Sequence, residues 1–431
     1  MSGDPSIGPR WLARTAPDED LPEPDRIEKL DRVVVLGAGP TGLTAALTLA
    51  EAGVPVTVLE KLATLSSESR ASTFHPATLE LLAELELVDD VLAAGLRAPT
   101  TQFRDRVSGP VATFDLGGLA AETAFPFRVQ LEQSKFTPMV LGRLRRGRAV
   151  GNGKDRLDVE VRFEHRGHRA RIVDDRVQLS VGTANGLVEV HAPWVVVADG
   201  AHSAVRDSLG LRLEGEQYPE RFLVVSVGDD LAEHLDGLAA VNYVADPDEW
   251  LVLLRTPDHW RILFPVSDDA GTDDEVLEPL AVTARLDGVV ALGNRWDVLA
   301  TSLYVVSRQV VTAMRAGPVL IAGDAAHQNS PLGGMGMNSG IQDAVSVGRR
   351  LAAVWHGDDD ALLDEYARLR REVAVSYVQA DSHANWLVLR EPDPAGRAEL
   401  QAELRAEAAD PDRHRERMRR SAMLSAVRDS L

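Results

Sequence analysis

Apolar positions along this chain fall into two alternating patterns. Short β-branched runs at Val33–Leu36, 54–59, 195–198 and 318–322 have the length and composition of buried strands. Between and after them, apolar residues recur at helical spacing over 43–52 and 76–96, and again through most of the chain after residue 340, notably over 361–389 and 395–429. Residues 157–190 instead alternate apolar and polar positions, with turn signals at His165-Arg166-Gly167 and at Asp174-Asp175. That pattern predicts a β-meander. A third pattern fills 212–305: strands are expected over 222–227, 239–244, 250–254 and 260–264, and one helix over 271–286. Residues 1–29 are rich in proline and acids and read as a loose arm.

Two of the strands run directly into glycine-rich turns. After Leu36 the chain reads Gly37-Ala38-Gly39-Pro40-Thr41-Gly42, a G-x-G-x-x-G spacing followed by a helix, with Gly53 at its end. A second strand then stops at Glu60 and Lys61. The glycines permit a tight turn, close approach of a pyrophosphate to the helix N-terminus and close helix–strand packing. Glu60 is placed to accept from ribose hydroxyls. Far downstream, the apolar run over 318–322 leads into Gly323-Asp324, then Pro331, Gly333, Gly334, Gly336, Met337 and Asn338, where a helix is expected to begin. Backbone amides at that helix start could hold an anion or the electron-rich edge of a ring. One dinucleotide loop alone would suggest NAD. Two loops far apart in sequence, each needing part of one ligand, suit FAD.

With these motifs placed, the chain resembles the class A, single-component FAD-dependent aromatic hydroxylases, whose fold is that of p-hydroxybenzoate hydroxylase. GAGPTG at 37–42 matches the family's ADP-binding fingerprint. ADGAHSAVR at 198–206 matches its Asp-Gly motif, and GDAAH with the following PxGGxGxN matches its Gly-Asp motif. The resemblance implies that Asp324 binds the ribityl chain and that Asp199 and Arg206 touch FAD and the pyrophosphate of NADPH or NADH. It implies that Arg70 reaches the FAD pyrophosphate and that Gln133 hydrogen-bonds near the ribityl and flavin. Pro331, Gly334 and Gly336 would face the flavin edge. Pro138, five residues after Gln133, suggests a helix that begins late or is kinked.

The fold class expected is α/β with an added α+β lobe: a Rossmann-like FAD-binding domain, an antiparallel sheet for the substrate, and C-terminal helices. The expected division is an arm at 1–30, the FAD-binding domain at 31–211 and 306–357, a substrate lobe at 212–305 and a helical segment at 358–431. By the same resemblance, NAD(P)H reduces the flavin and O2 forms a C4a-hydroperoxide, whose electrophilic oxygen attacks an electron-rich ring. The substrate would then be a small phenol or N-heteroaromatic. Tyr243, Trp250, Arg255 and Arg261 are its candidate liners, with strand register deciding which of them face inward. No catalytic base is assigned. His327 is read as a packing or hydrogen-bonding residue of its turn, and His75 and His202 are unassigned.

Composition narrows the partners. The chain has no cysteine among its 431 residues, which excludes disulfides, a thiolate nucleophile and Cys-held metals. A formal net charge of −20 disfavours nucleic acid and anionic membranes as partners. No apolar run has the length of a membrane span and no signal-like segment opens the chain, so a cytoplasmic setting is expected. Other readings are a flavin reductase that does not insert oxygen, a non-catalytic flavin-binding regulator, or a halogenase-like enzyme, although the Trp-x-Trp-x-Ile-Pro signature of halogenases is absent.

Overall fold

The computed structural model describes residues 21–431 apart from 69–70, 151–152, 156, 268, 429 and 431. Its centre is a six-stranded sheet in the order Val159–Arg162, Val56–Leu59, Val33–Leu36, Trp194–Val197, Val319–Ile321 and Arg315–Ala316, parallel except for the last strand. The inner strands Val33–Leu36 and Val319–Ile321 are unbroken apolar runs, buried throughout, as expected where both faces of a parallel sheet are covered. Register is what matters for function. Leu36 lies opposite both Leu59 and Val197, and Val197 lies opposite Ile321. The strand ends that feed Gly37, Glu60, Asp199 and Gly323 therefore emerge side by side along one edge.

Helices Pro40–Glu51 and Gly336–Trp355 follow two of these ends and pack against each other through small residues. A Cβ added at Gly340 would sit 2.4 Å from the Thr41 hydroxyl, and one at Gly348 would sit 2.7 Å from Thr48. The glycines let the two cofactor-side helices approach to backbone contact.

The expected meander is present as His165–Val173, Arg176–Thr183 and Gly186–Ala192. Its first portion behaves differently: Val159–Arg162 joins the parallel sheet beside Val56–Leu59. The supposed loose arm is also ordered at its end. Arg26–Lys29 pairs in parallel with the Gly186–Ala192 strand, Ile27 opposite Glu189. Residues 1–20 lie outside the described residues.

The second lobe is an eight-stranded sheet in the order His327–Gln328, Val298–Val311, Leu213–Val227, Trp260–Ser267, Leu251–Arg255, Val241–Ala245, Thr100–Asp105 and Gly109–Asp115. Three of its strands lie outside the expected 212–305 span, because pairing across the chain recruits distant segments. Alternation along the strands divides the faces. Leu223, Val225, Leu251, Leu253, Trp260, Ile262 and Phe264 pack under Val276, Val282 and Leu286. Those last residues come from two helices, Asp273–Val276 and Pro279–Val289, rather than one; the chain breaks just before Pro279, where a proline starts the second helix. The opposite face carries Phe222, Val224, Tyr243, Trp250 and Leu263, packed toward Leu332, Met335 and Trp386.

The expected helix over 76–96 is also divided, into Pro76–Glu84 and Val88–Ala94. Residues 361–389 form two α-helices, Ala361–Val373 and Ala380–Leu389, joined by a π-helical stretch Ala374–Gln379. Pro394–Ala409, Pro411–Ser421 and Leu424–Arg428 complete the helical segment. Asp393 and Asp410 cap the first two, and Pro394 and Pro411 occupy their first turns.

Candidate active site

Three turns meet along the edge where the parallel strands end. Gly37 has φ +98°, and a Cβ there would stand 2.4 Å from the carbonyl oxygen of Ala198. The first glycine turn thus rests directly on the Ala198-Asp199 backbone, and only glycine meets both demands. A side chain on Gly42 would strike the Gly37 carbonyl at 2.0 Å, whereas nothing lies within 4 Å of a Cβ built on Gly39. The outer glycine therefore borders open space at the N-terminus of the twelve-residue helix Pro40–Glu51, a place suited to a pyrophosphate.

Glu60 is nearly buried. One of its oxygens accepts from the Ala38 amide at 2.7 Å and the other from Leu62 at 3.0 Å. It shapes the glycine loop and still has lone pairs for a ribose hydroxyl. Asp199 has one carboxylate oxygen buried with no partner among the described residues. Burial raises its pKa, while the Ser203 hydrogen bond and the Lys61 charge oppose the rise. An acceptor left unfilled in a closed turn is where a ligand hydroxyl would satisfy it. The residues present therefore fit an ADP-bearing cofactor.

Arg206 is committed elsewhere. Its Nε and Nη2 donate to Asp207 at 2.9 and 2.7 Å, and Nη1 donates to the carbonyls of Ala201 and Ala325 at 3.0 and 3.2 Å. It ties the Asp-Gly turn to the Gly323–Ala325 turn, with Nε and both terminal nitrogens donating to protein acceptors. Arg70 lies outside the described residues. Gln133 does open its helix, and Pro138 sits inside that helix without ending it. The Gln133 amide nitrogen donates to the Glu68 carbonyl at an exposed position, 3.1 Å away.

The third turn is held from behind. Asp343 is fully buried and accepts from the Gly323 amide at 3.0 Å. The same oxygen is 2.7 Å from His327 Nε2, and its other oxygen accepts from Arg370 Nε at 2.6 Å. Burial alone would raise this carboxyl, but His327 and Arg370 outweigh it and hold the group below its usual value. Tyr366 donates to the Ile321 carbonyl at 2.7 Å. His327 is thus a hydrogen-bonding residue of its turn. Asp343 and Arg370 escaped the sequence reading. One signal was available: Asp343 is the only charged residue between His327 and Arg349.

The glycine loop that follows is fixed against strand Thr73–Phe74. Gly334 has φ +68°, and a Cβ there would lie 2.9 Å from the Thr73 Cβ. Asn338, also fully buried, donates to the Thr73 and Gly334 carbonyls, each at 2.7 Å, and accepts from the His75 amide at 2.9 Å. The helix starts at Gly336, two residues before the expected position, and Asn338 works as a clamp on the loop. His75 Nε2 is 2.8 Å from the Gly333 carbonyl. Beside them, Gln130 has a buried amide nitrogen without a partner among the described residues, while its oxygen accepts from Thr73 at 3.0 Å.

Of the four candidate liners, three share the sheet face turned toward this loop. The hydroxyl of Tyr243 accepts from the Gly333 amide at 3.1 Å. Trp250 packs on Phe222, which stacks on Tyr304 at 6.2 Å. Arg261 alternates with Ile262 and so shares the face of Leu263; it is 3% exposed. Burial draws its guanidinium below the ordinary value, with Tyr304 and Glu132 acting in the opposite sense. Strand register separates Arg255 from these three. Arg255 alternates with Leu254 onto the other face and lies over the Trp260 ring at 5.8 Å.

Comparison with known proteins agrees with this geometry. A family profile described as FAD binding domain matches residues 31–381. The chain is 31% identical over 376 residues to para-nitrophenol 4-monooxygenase of Pseudomonas sp. (strain WBC-3), covering 86% of this chain and 90% of that protein. The chain belongs to the FAD-dependent aromatic monooxygenases. Among solved members of that family, p-nitrophenol 4-monooxygenase from Pseudomonas putida DLL-E4 superposes with a TM-score of 0.86 at 30% identity, over 94% of this chain and 100% of the other. Aklavinone-11 hydroxylase, solved in a ternary complex with FAD and aklavinone, gives 0.73 at 27% identity, over 85% of this chain and 70% of that one. Among the described residues no group of side chains suited to a metal ion is found, and no helix is long and apolar enough to cross a membrane.

Proposed function

We propose that this monooxygenase hydroxylates a small phenol or hydroxylated N-heteroaromatic at the expense of NAD(P)H. One relationship carries the reading: the cofactor turns converge on a glycine loop that faces the aromatic side of the second sheet, and Tyr243 joins the two. When bound, FAD supplies the redox chemistry and the activation of O2. The chain supplies position and exclusion of water. Gly37, Gly39, Pro40, Thr41, Gly42, Glu60, Lys61 and Asp199 hold the ADP side. Gly323, Asp324 and the loop Pro331–Asn338 hold the ribityl and ring. Amides at the start of helix Gly336–Trp355 lie where negative charge on the ring edge would be stabilised.

The ring of the substrate would lie between the loop and Tyr243, Trp250, Phe222 and Tyr304. An apolar enclosure there keeps water from the reacting centre, and buried Arg261 favours a substrate carrying a hydroxyl or an ionised oxygen. The test is a panel of phenols and hydroxypyridines with purified, FAD-loaded protein. Aromatic-stimulated NAD(P)H oxidation with a product heavier by one oxygen is expected. NAD(P)H oxidation yielding a reduced substrate without added oxygen would instead assign a reductase.

A further inference from the structure

Arg370 and Asp343 are both wholly excluded from solvent, and the network around them extends beyond the cofactor turn. Besides its bond to Asp343, the guanidinium donates from Nη2 to the Ser339 carbonyl and hydroxyl at 3.3 and 3.2 Å and to Gln342 at 3.4 Å. From Nη1 it donates to the hydroxyl of Ser430 at 2.7 Å. The Ser430 carbonyl in turn accepts from the Ser346 hydroxyl at 3.0 Å. Ser430 follows the short helix Leu424–Arg428, which is seated by buried Met423, Leu424 and Ala426. The preceding Ala422 carbonyl accepts from Ala77 at 3.2 Å. A segment more than a hundred residues downstream in the chain thus reaches the Gly323 amide in three steps: Ser430, Arg370, Asp343.

A buried ion pair is favourable only while its remaining donors are filled. If Ser430 leaves, Nη1 is buried without that acceptor while Nε and Nη2 keep theirs, and the guanidinium shifts against Asp343 to find another. That shift carries the Asp343 carboxylate with it, and the other oxygen of that carboxylate accepts from Gly323. We infer that helix Leu424–Arg428 and Ser430 latch the cofactor-binding turn, so that docking of these residues and binding of FAD favour each other. Arg370 and Asp343 are the positioning residues of the latch. The inference rests on the FAD assignment above. Linkage requires the effect to run both ways by the same factor.

Two measurements test it. Ser430→Ala should weaken FAD binding about 3- to 10-fold, the effect of one lost hydrogen bond to a charged group partly transmitted to the turn. In the unaltered protein, amide hydrogen exchange over Leu424–Arg428 and Ser430 should slow when FAD is added to apoprotein. A role confined to holding the fold would not move this second readout. Exchange that is the same with and without FAD overturns the inference, and so does wild-type FAD affinity in S430A. Failure of the unaltered protein to bind FAD would instead remove the cofactor assignment itself.

Discussion

The hydroxyl of Tyr243 accepts a hydrogen bond from the Gly333 amide at 3.1 Å, joining the central part of the second sheet to the cofactor loop. The carbonyl of the same glycine faces His75 Nε2 at 2.8 Å. One residue of the loop is thus held through its amide by the sheet lobe and through its carbonyl by the FAD-binding domain.

This arrangement separates residues on the loop-facing side of the second sheet from those on its far side. Substituting Trp250→Ala or Tyr243→Phe should lower the fraction of NAD(P)H oxidation coupled to product while FAD content stays near wild type. Arg255→Ala should leave coupling unchanged, because its side chain lies over Trp260 on the far face. Equal uncoupling by all three would mean that the pocket lies elsewhere.

Asp324→Ala should reduce flavin occupancy more than it perturbs the fold. If Asp324 holds the ribityl chain as proposed, loss of that charge-assisted hydrogen bond would cost roughly 1.5–3 kcal/mol, about ten- to a hundredfold in FAD affinity. Fluorescence titration of apoprotein checks this, and an unchanged dissociation constant refutes the role.

Arg206→Ala is expected to act on stability rather than on NAD(P)H. Its removal takes away two hydrogen bonds to Asp207 and one each to the Ala201 and Ala325 carbonyls, a loss of about 1–3 kcal/mol. The denaturation midpoint should fall while the KM for NAD(P)H in FAD-loaded enzyme stays near wild type. A large rise in that KM with unchanged stability would restore the pyrophosphate role.

His75 should make the protein acid-sensitive. Burial first, and the Arg128 charge second, lower its pKa to about 3. Unfolded, it titrates near 6.5. Between those values the unfolded chain binds a proton that the native state refuses, so stability falls as pH drops through this window and is regained above it. Near pH 4.5 the cost is about 3 kcal/mol. Urea midpoints measured from pH 7 down to about pH 4.5 should fall less steeply in His75→Gln than in wild type. Parallel slopes would show that other groups dominate.

The sequence by itself determined the parts whose chemistry is local. G-x-G-x-x-G, Asp199-Gly200 and Gly323-Asp324 each need only a strand end, a turn and a neighbouring helix, so spacing announces them, and the family follows from their order. Tertiary structure alone decided what depends on pairing across the chain. Which face Arg255 takes is set by strand register. That Thr100–Asp105 joins the second sheet, and that Arg26–Lys29 pairs with Gly186–Ala192, are choices of partner far away in sequence. The Asp343–Arg370 pair is legible only once two helices bring the residues together, because a buried charge is tolerated solely where its counter-charge is. Arg206 shows the same division: its motif marks the residue, but one of the two carbonyls that occupy its guanidinium, that of Ala325, comes from a turn 119 residues away.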